Sequence, residues 1–383
     1  MTYGVGLGED GPVDLNLSRN SAREIILHIG MPKSGSSAIQ LFLHVNRELL
    51  SSNFSVNYPE SNEVGGPWMA DRGMSRGNAG WIRQIYLAPY DDKAGFFQNI
   101  TGAVDALRDF MASKINESNA NTTVFSGEWI VELSVNNYFW KMLREFEIDH
   151  KTKVKVVSYI RNPFSYIFSL YKYEVLCSTC HESFDSFLKN RKDLWGLRFF
   201  SHVDYVVSLA SANGVSFQVF GLEDINDLTD QFAQQVLQLN HKRESLKSVG
   251  KTNRGPSYAE TFFCRGLASS NAELAIAYGY ERRDNLRFSS SHFPETNLQI
   301  LLSSESRELL HDYIAQIKAS LSGANIPVPN SQFEYSRMLS SKLDPQFQDL
   351  YDSMFRTGEI VGASVKHGYF EALMTKKLTL FAF

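Results

Sequence analysis

Short apolar runs alternate along this chain with longer stretches in which apolar residues recur every three or four positions. The run Ile25–Ile29, closed by Gly30, has the pattern of a strand buried in a parallel sheet. After it, Ile39, Phe42, Leu43, Leu49 and Leu50 fall on one helical face, which predicts a helix packed against that strand. Val56–Tyr58, closed by Pro59, then Thr122–Ser126, Val154–Ile160 and Val215–Phe220 read as further strands. Asn162-Pro163 supplies a helix start, with Asn as the cap and Pro in the first turn. Later segments are mostly helical, including about Asn297–Leu321. Strands alternating with helices predict an α/β fold: a parallel sheet flanked by helices in three layers.

The polar stretches divide the chain. Residues 1–22 are rich in glycine and polar residues and read as a loose N-terminal arm. Pro327 and Pro329 punctuate the far end, so one domain is expected over 23–328, followed by a C-terminal extension over 329–383. Residues 61–80 hold five glycines and few aliphatics, the composition of a long loop.

Bulk composition narrows the function classes. A length of 383 residues suits one large domain with additions, or two domains. The net charge of −4 argues against a general nucleic-acid binder. No apolar run approaches bilayer length, and the first twenty residues lack the basic start and apolar core of a signal peptide. Three cysteines do not suggest a disulfide framework. A cytoplasmic location is expected on these grounds. Cys177, Cys180 and His181 match the c-type haem attachment spacing, but that chemistry needs export. The segment reads mainly as a helix-end loop, and no complete zinc set accompanies it.

Residues 25–40 read IILHIGMPKSGSSAIQ: a strand, a glycine-containing turn, then a helix. Gly30 and Gly35 allow a tight turn and close approach of a ligand. Amides at the helix start point at an anion, and the helix dipole adds attraction. Lys33 adds a positive charge, and Ser36 and Ser37 add hydroxyls. The turn departs from the Walker A pattern, because Gly35 is followed by serine and the lysine lies two residues before that glycine. The plainer reading is a strand–turn–helix with an incidental lysine.

Residues 153–172 read KVKVVSYIRNPFSYIFSLYK. Arg161 sits at the carboxyl end of a predicted strand, where open α/β sheets bind ligands. Its guanidinium fork suits a phosphate. Ser169 follows eight residues later, about two turns into the next helix. The plainer reading is an Asn-Pro helix start beside a surface arginine.

Together these segments resemble the PAPS-dependent sulfotransferase family (PAPS, 3′-phosphoadenosine-5′-phosphosulfate). PKSGSSAIQ is similar to that family's 5′-phosphosulfate loop, typically PKSGTTW or HKTGTTxLQ. HIG at 28–30 is similar to the bacterial, carbohydrate-type branch. The family's 3′-phosphate site has the form R-N-P with a serine eight residues after the arginine. The resemblance implies a P-loop kinase-like sulfotransferase fold, with PAPS as cosubstrate, its desulfated form PAP as product, and no metal. It assigns the 5′ end of the donor to Lys33, Ser34, Gly35, Ser36 and Ser37, and the 3′-phosphate to Arg161 and Ser169. Two serines stand where the family usually has threonines. The implied partner is a carbohydrate or small-molecule acceptor. A nucleotide kinase or NTPase, or a nucleotide-binding protein without turnover, is the alternative.

Weaker signals remain. Glu128, in TVFSGEWIVEL, reads equally as the base that takes the acceptor's proton or as a cap of the following helix. His28 and His44 are rival bases; His28, inside a buried strand, reads rather as a core histidine. Arg254 precedes a helix start at Pro256-Ser257 and reads as a nucleotide-closing residue, as the family often has, or as a solvated loop charge. In Gly65–Trp81, the residues Trp68, Arg72, Arg76, Asn78 and Trp81 combine rings and donors suited to a polar acceptor.

Overall fold

A computed structural model describes residues 23–61, 77–86, 99–176, 182–190, 197–222, 225–239, 245–249, 261 and 303–329. Five strands form one parallel sheet: β1 (Arg23–His28), β2 (Val56–Asn57), β3 (Thr122–Ser126), β4 (Thr152–Ile160) and β5 (Ser216–Gly221). Their order is β2-β3-β1-β4-β5. The helices are α1 (Ser36–Val45), α2 (Arg47–Phe54), α3 (Ile82–Tyr86), α4 (Ile100–Asn116), α5 (Ile130–Leu133) and α6 (Asn137–His150). They continue with α7 (Pro163–Leu176), α8 (Phe184–Asn190), α9 (Leu197–Phe200), α10 (Val203–Ala212), α11 (Leu228–Gln231) and α12 (Ser304–Gly323). A π-helical turn, Phe232–Val236, continues α11.

Side chains of a strand alternate between faces, so a strand buried on both faces feeds two cores. Ile25 and Leu27 of β1 join Phe125, Val154, Val156 and Ile160 in the larger core, with side chains from α4, α6, α7, α10 and α12. Ile26 joins Val124, Val157 and Tyr159 in the second core, with Ile39, Phe42 and Leu43 of α1 and Phe232 of the π turn. Helices therefore cover both faces of the sheet, as the alternation predicts. β5 is one of the two edge strands and is only partly buried.

The predicted strands and the Asn162 start fall where the pattern puts them, within two residues. Asn162 Oδ1 accepts from the Phe164 and Ser165 amides at 3.1 and 3.4 Å. One difference is instructive. The single apolar face from Ile39 to Leu50 belongs to two helices, divided at Asn46. That side chain donates to Phe42 O (2.9 Å) and Lys247 O (3.0 Å) and accepts from the Lys247 amide (2.7 Å). A side chain bound to a distant peptide group holds its own backbone out of the helix. Leu49 is only half-buried, whereas Leu50 is fully buried.

The helix expected over 297–321 is α12, and its first expected residues lie outside the described ones. So do the arm, residues 330–383, Arg254, Trp68, Arg72, Arg76 and the Cys177–His181 segment. Asn162 Nδ2 reaches Pro329 O at 3.1 Å, which ties the end of the described chain to the start of α7. Among the described residues, no helix is long and apolar enough to cross a membrane.

Candidate functional site

The chain leaves β1 toward β2 on one side and leaves β4 toward β5 on the other. Adjacent parallel strands whose connections diverge leave a crevice outside their carboxyl ends. Lys33 follows β1 and Arg161 follows β4, so each comes from one wall of that crevice. Arg161 Nη1 donates to the Lys33 carbonyl oxygen at 3.2 Å. This bond takes the Arg161 guanidinium across from the end of β4 to the turn.

The turn itself is cramped. Ser34 N–H bonds Met31 O at 3.2 Å. A Cβ on Gly30 would lie 2.3 Å from Ser36 Oγ. Gly35 has φ +87°, and a Cβ there would lie 2.3 Å from Leu228 Cδ2, so the turn is wedged between α1 and α11. Lys33 also sits in the left-handed region, at φ 62°. For a residue with a Cβ this costs roughly 1–2 kcal/mol, which the surrounding structure must hold.

Gly35 is the cap residue of α1 and makes no side-chain cap bond. The amides of the first turn of α1 lie ahead of the intrahelical ladder. Ser37 is half-exposed beside them, whereas the Ser36 hydroxyl is buried and donates to Met31 O at 3.2 Å. Ser36 thus braces the turn. Ser34 is fully buried, and its hydroxyl has no hydrogen-bond partner among the described residues. An orphan buried hydroxyl in a turn that carries Lys33 and is reached by Arg161 fits an anionic ligand with oxygen acceptors.

The tip of Lys33 is also placed. Its Nζ lies 3.3 Å from the centroid of the Tyr173 ring on α7. Tyr173 is four residues after Ser169, so the two share a helix face, and that face looks toward the turn. Tyr173 belongs to no sequence motif, and its i+4 relation to Ser169 is the one signal the sequence offers.

Glu128 stands at the carboxyl edge of β3, the other neighbour of β1. The Gly127 amide bonds His28 O at 3.1 Å and extends the pairing by one residue. Glu128, half-buried, comes next. The cap position of α5 is Trp129, which makes no side-chain cap bond. Burial pushes the Tyr166 phenol well up, and the carboxylates of Glu132 and Glu128 add to it.

No family model matches the chain, and no curated protein matches it. The reading of the site therefore rests on its geometry, its chemistry and the motif resemblance.

The histidines separate clearly. His28 is fully buried, with rings of Tyr159 and Phe232 edge-on at 5.9 and 6.1 Å. Burial pushes its imidazole down to about 3, so it stays neutral near pH 7. Its Nδ1 lies 2.8 Å from Ser126 Oγ, which also accepts from Gln40 Nε2 at 3.1 Å. His28 Nε2 and Gln40 Oε1 have no partner among the described residues. The core-histidine reading holds, with one ring nitrogen bonded. His44 lies in the last turn of α1, eight residues and roughly 12 Å along the axis from Ser36.

One residue of the glycine-rich loop is corrected by the structure. Asn78 is buried, and its side chain is fully engaged by the backbone. It donates to Pro59 O (3.1 Å) and Val124 O (3.0 Å) and accepts from the Ser126 amide (2.8 Å). Asn78 therefore has no donor left for an acceptor. Trp81 is half-buried, with Phe110 edge-on at 5.6 Å and an indole N–H that has no hydrogen-bond partner among the described residues. The loop's polar composition misled because one asparagine can serve backbone groups as well as ligands.

Proposed function

We propose that this chain is a sulfotransferase that takes PAPS as donor and moves its sulfuryl group to a hydroxyl or amine of a carbohydrate or small molecule. The fold would then be the P-loop kinase-like sulfotransferase type. One observation carries the reading: the 3.2 Å bond from Arg161 to the Lys33 carbonyl. It joins the two residues that the family resemblance assigns to opposite ends of the donor, at the crevice where the topology favours a ligand.

In this reading Lys33, Gly35, Ser37 and the orphan hydroxyl of Ser34 would hold the 5′-phosphosulfate, with Ser36 bracing the turn beneath. Arg161 and Ser169 would hold the 3′-phosphate, and Arg254 is a further candidate for the nucleotide. When bound, PAPS supplies an activated sulfuryl group and a good leaving group. The protein contributes position and charge: the Lys33 ammonium and the first amides of α1 stabilise negative charge on the leaving oxygen. Glu128 takes the acceptor's proton.

The test is a thermal-shift comparison of PAP with ATP, followed by a transfer assay with labelled PAPS over sugars and small alcohols. PAP should stabilise the chain by about 2.7 kcal/mol at a hundred times its dissociation constant. ATP should do far less, because it lacks the 3′-phosphate. Equal stabilisation by both overturns the reading in favour of a kinase or NTPase. Selective PAP binding without transfer to any acceptor would leave a nucleotide-binding protein without turnover.

A further inference from the structure

We propose that Tyr173 is a positioning residue that holds the Lys33 ammonium against its ring face beside the anion-binding turn. The consequence for turnover rests on the sulfotransferase reading; the contact itself does not. Lys33 Nζ lies 3.3 Å from the ring centroid, well inside the range in which the negative face of an aromatic ring attracts a cation. The root of the same side chain is fixed as well, by the left-handed backbone at Lys33 and by the Arg161 bond to its carbonyl. A flexible four-carbon stem is thus held at both ends. Most of its freedom is given up on folding, so less remains to be lost when a ligand arrives.

The ring takes one side of the Nζ group, and three N–H donors cannot all point at one ring face. In the sulfotransferase reading, donors directed away from the ring would meet an oxygen of the donor's phosphosulfate. Ser169 lies one helical turn before Tyr173 on the same face of α7. One helix face therefore carries both the hydroxyl assigned to the 3′-phosphate and the ring that sets the lysine. A space-filling role for Tyr173 is the competing account, and it makes a different forecast: only the size of the side chain would matter.

The experiment replaces Tyr173 with Phe, with 4-cyanophenylalanine and with Leu in the full chain. Phe keeps the ring face, the cyano ring keeps the shape but withdraws charge from the face, and Leu removes the ring. The first readout is the acylation rate of Lys33 by acetic anhydride across a pH series, without ligand, followed by peptide mass spectrometry. Tyr and Phe should protect Lys33 alike. The cyano ring and Leu should raise its rate about 2- to 30-fold, the range set by cation–π strengths, and lower its apparent pKa. The second readout is PAP affinity, which should fall in the same order. If the Leu variant folds poorly, the Phe and cyano pair decides alone. Indistinguishable Lys33 reactivity in that pair overturns the proposal. If the labelling order holds but PAP does not bind the unaltered protein, the contact stands and the sulfotransferase reading falls.

Discussion

Replacing Asn78 tests whether the corner that carries Glu128 is built as described. The side chain makes three bonds to buried backbone: to Pro59 O, to Val124 O and from the Ser126 amide. Each is worth about 1 kcal/mol net, and a buried amide left without a partner costs about 1–3 kcal/mol. Asn78→Ala should therefore cost roughly 3 kcal/mol, a fall in Tm of order 6–12 °C if the unit that melts is 150–250 residues. Asn78→Asp is the sharper probe. One carboxylate oxygen can still accept from Ser126, but the other would face the Pro59 and Val124 carbonyls. The folded protein would then favour the protonated acid, raising its pKa above the unfolded value near 3.9. A raised carboxyl pKa means that stability is retained at low pH and lost as pH rises through the folded pKa. The gap between Asn78→Asp and the unaltered protein should thus widen between about pH 5 and pH 8, by up to roughly 1.4 kcal/mol per unit. Urea melts at several pH values, with Asn78→Ala as the pH-flat control, measure it. A cost below about 0.5 kcal/mol for Asn78→Ala, or a flat gap for Asn78→Asp, refutes the bond set.

Three further outcomes are expected. Lys33→Ala should lower turnover by about 10²–10³, as for loss of one oxyanion donor, in a transfer assay with any working acceptor; unchanged turnover removes the lysine from the mechanism. Glu128→Gln should lower turnover by roughly 10²–10⁴ with PAP affinity nearly intact, while His44→Ala has little effect, and the reverse pattern moves the base to α1. Burial pushes the Asp185 carboxyl up, but hydrogen bonds led by the Ser303 amide (2.7 Å) outweigh it and bring it down to about 2. That stability is present above about pH 4 and is lost as pH falls toward 2. Asp185→Asn should therefore cost about 1 kcal/mol in urea melts near neutral pH, after allowance for water around the group, and progressively less below pH 4.

The parts of the fold legible in the sequence are those with local causes. A strand buried on both faces must be apolar throughout, so Ile25–Ile29 and Val154–Ile160 announce themselves, and Asn162-Pro163 marks a helix start by chemistry confined to three residues. What stays hidden depends on groups distant in sequence. The break at Asn46 is made by the Lys247 peptide, 201 residues away. Asn78 looked like a ligand residue because composition does not say which groups a polar side chain meets. Within the site, Lys33 and Arg161 were legible as types at strand ends, but their mutual bond was not, since strand order is not written in either segment. Tyr173 was passed over because one tyrosine in an aromatic-rich helix looks like core until its ring is seen beneath a lysine.

Strand order also arranges the chemistry. The three central strands are β3, β1 and β4, and each delivers one charged residue just past its carboxyl end: Glu128, Lys33 and Arg161. Neighbouring strands lie about 4.8 Å apart, so the row spans on the order of 10 Å at the backbone. In the proposed reaction this sequence has a direction. The arginine at one end would anchor the 3′-phosphate of the donor, the lysine in the middle meets the oxygen where charge develops, and the carboxylate at the other end receives the acceptor's proton. An in-line displacement needs attacking and leaving oxygens on opposite sides of the transferred group, and a row with the base at one end and the anchor at the other meets that need. His28 cannot take the base's place, because it lies wholly within the sheet with Ser126 on one ring nitrogen. His44, at the far end of α1, is out of line with all three strand ends. In the proposed reaction Glu128 is the candidate base because β3 adjoins β1 on the side away from Arg161.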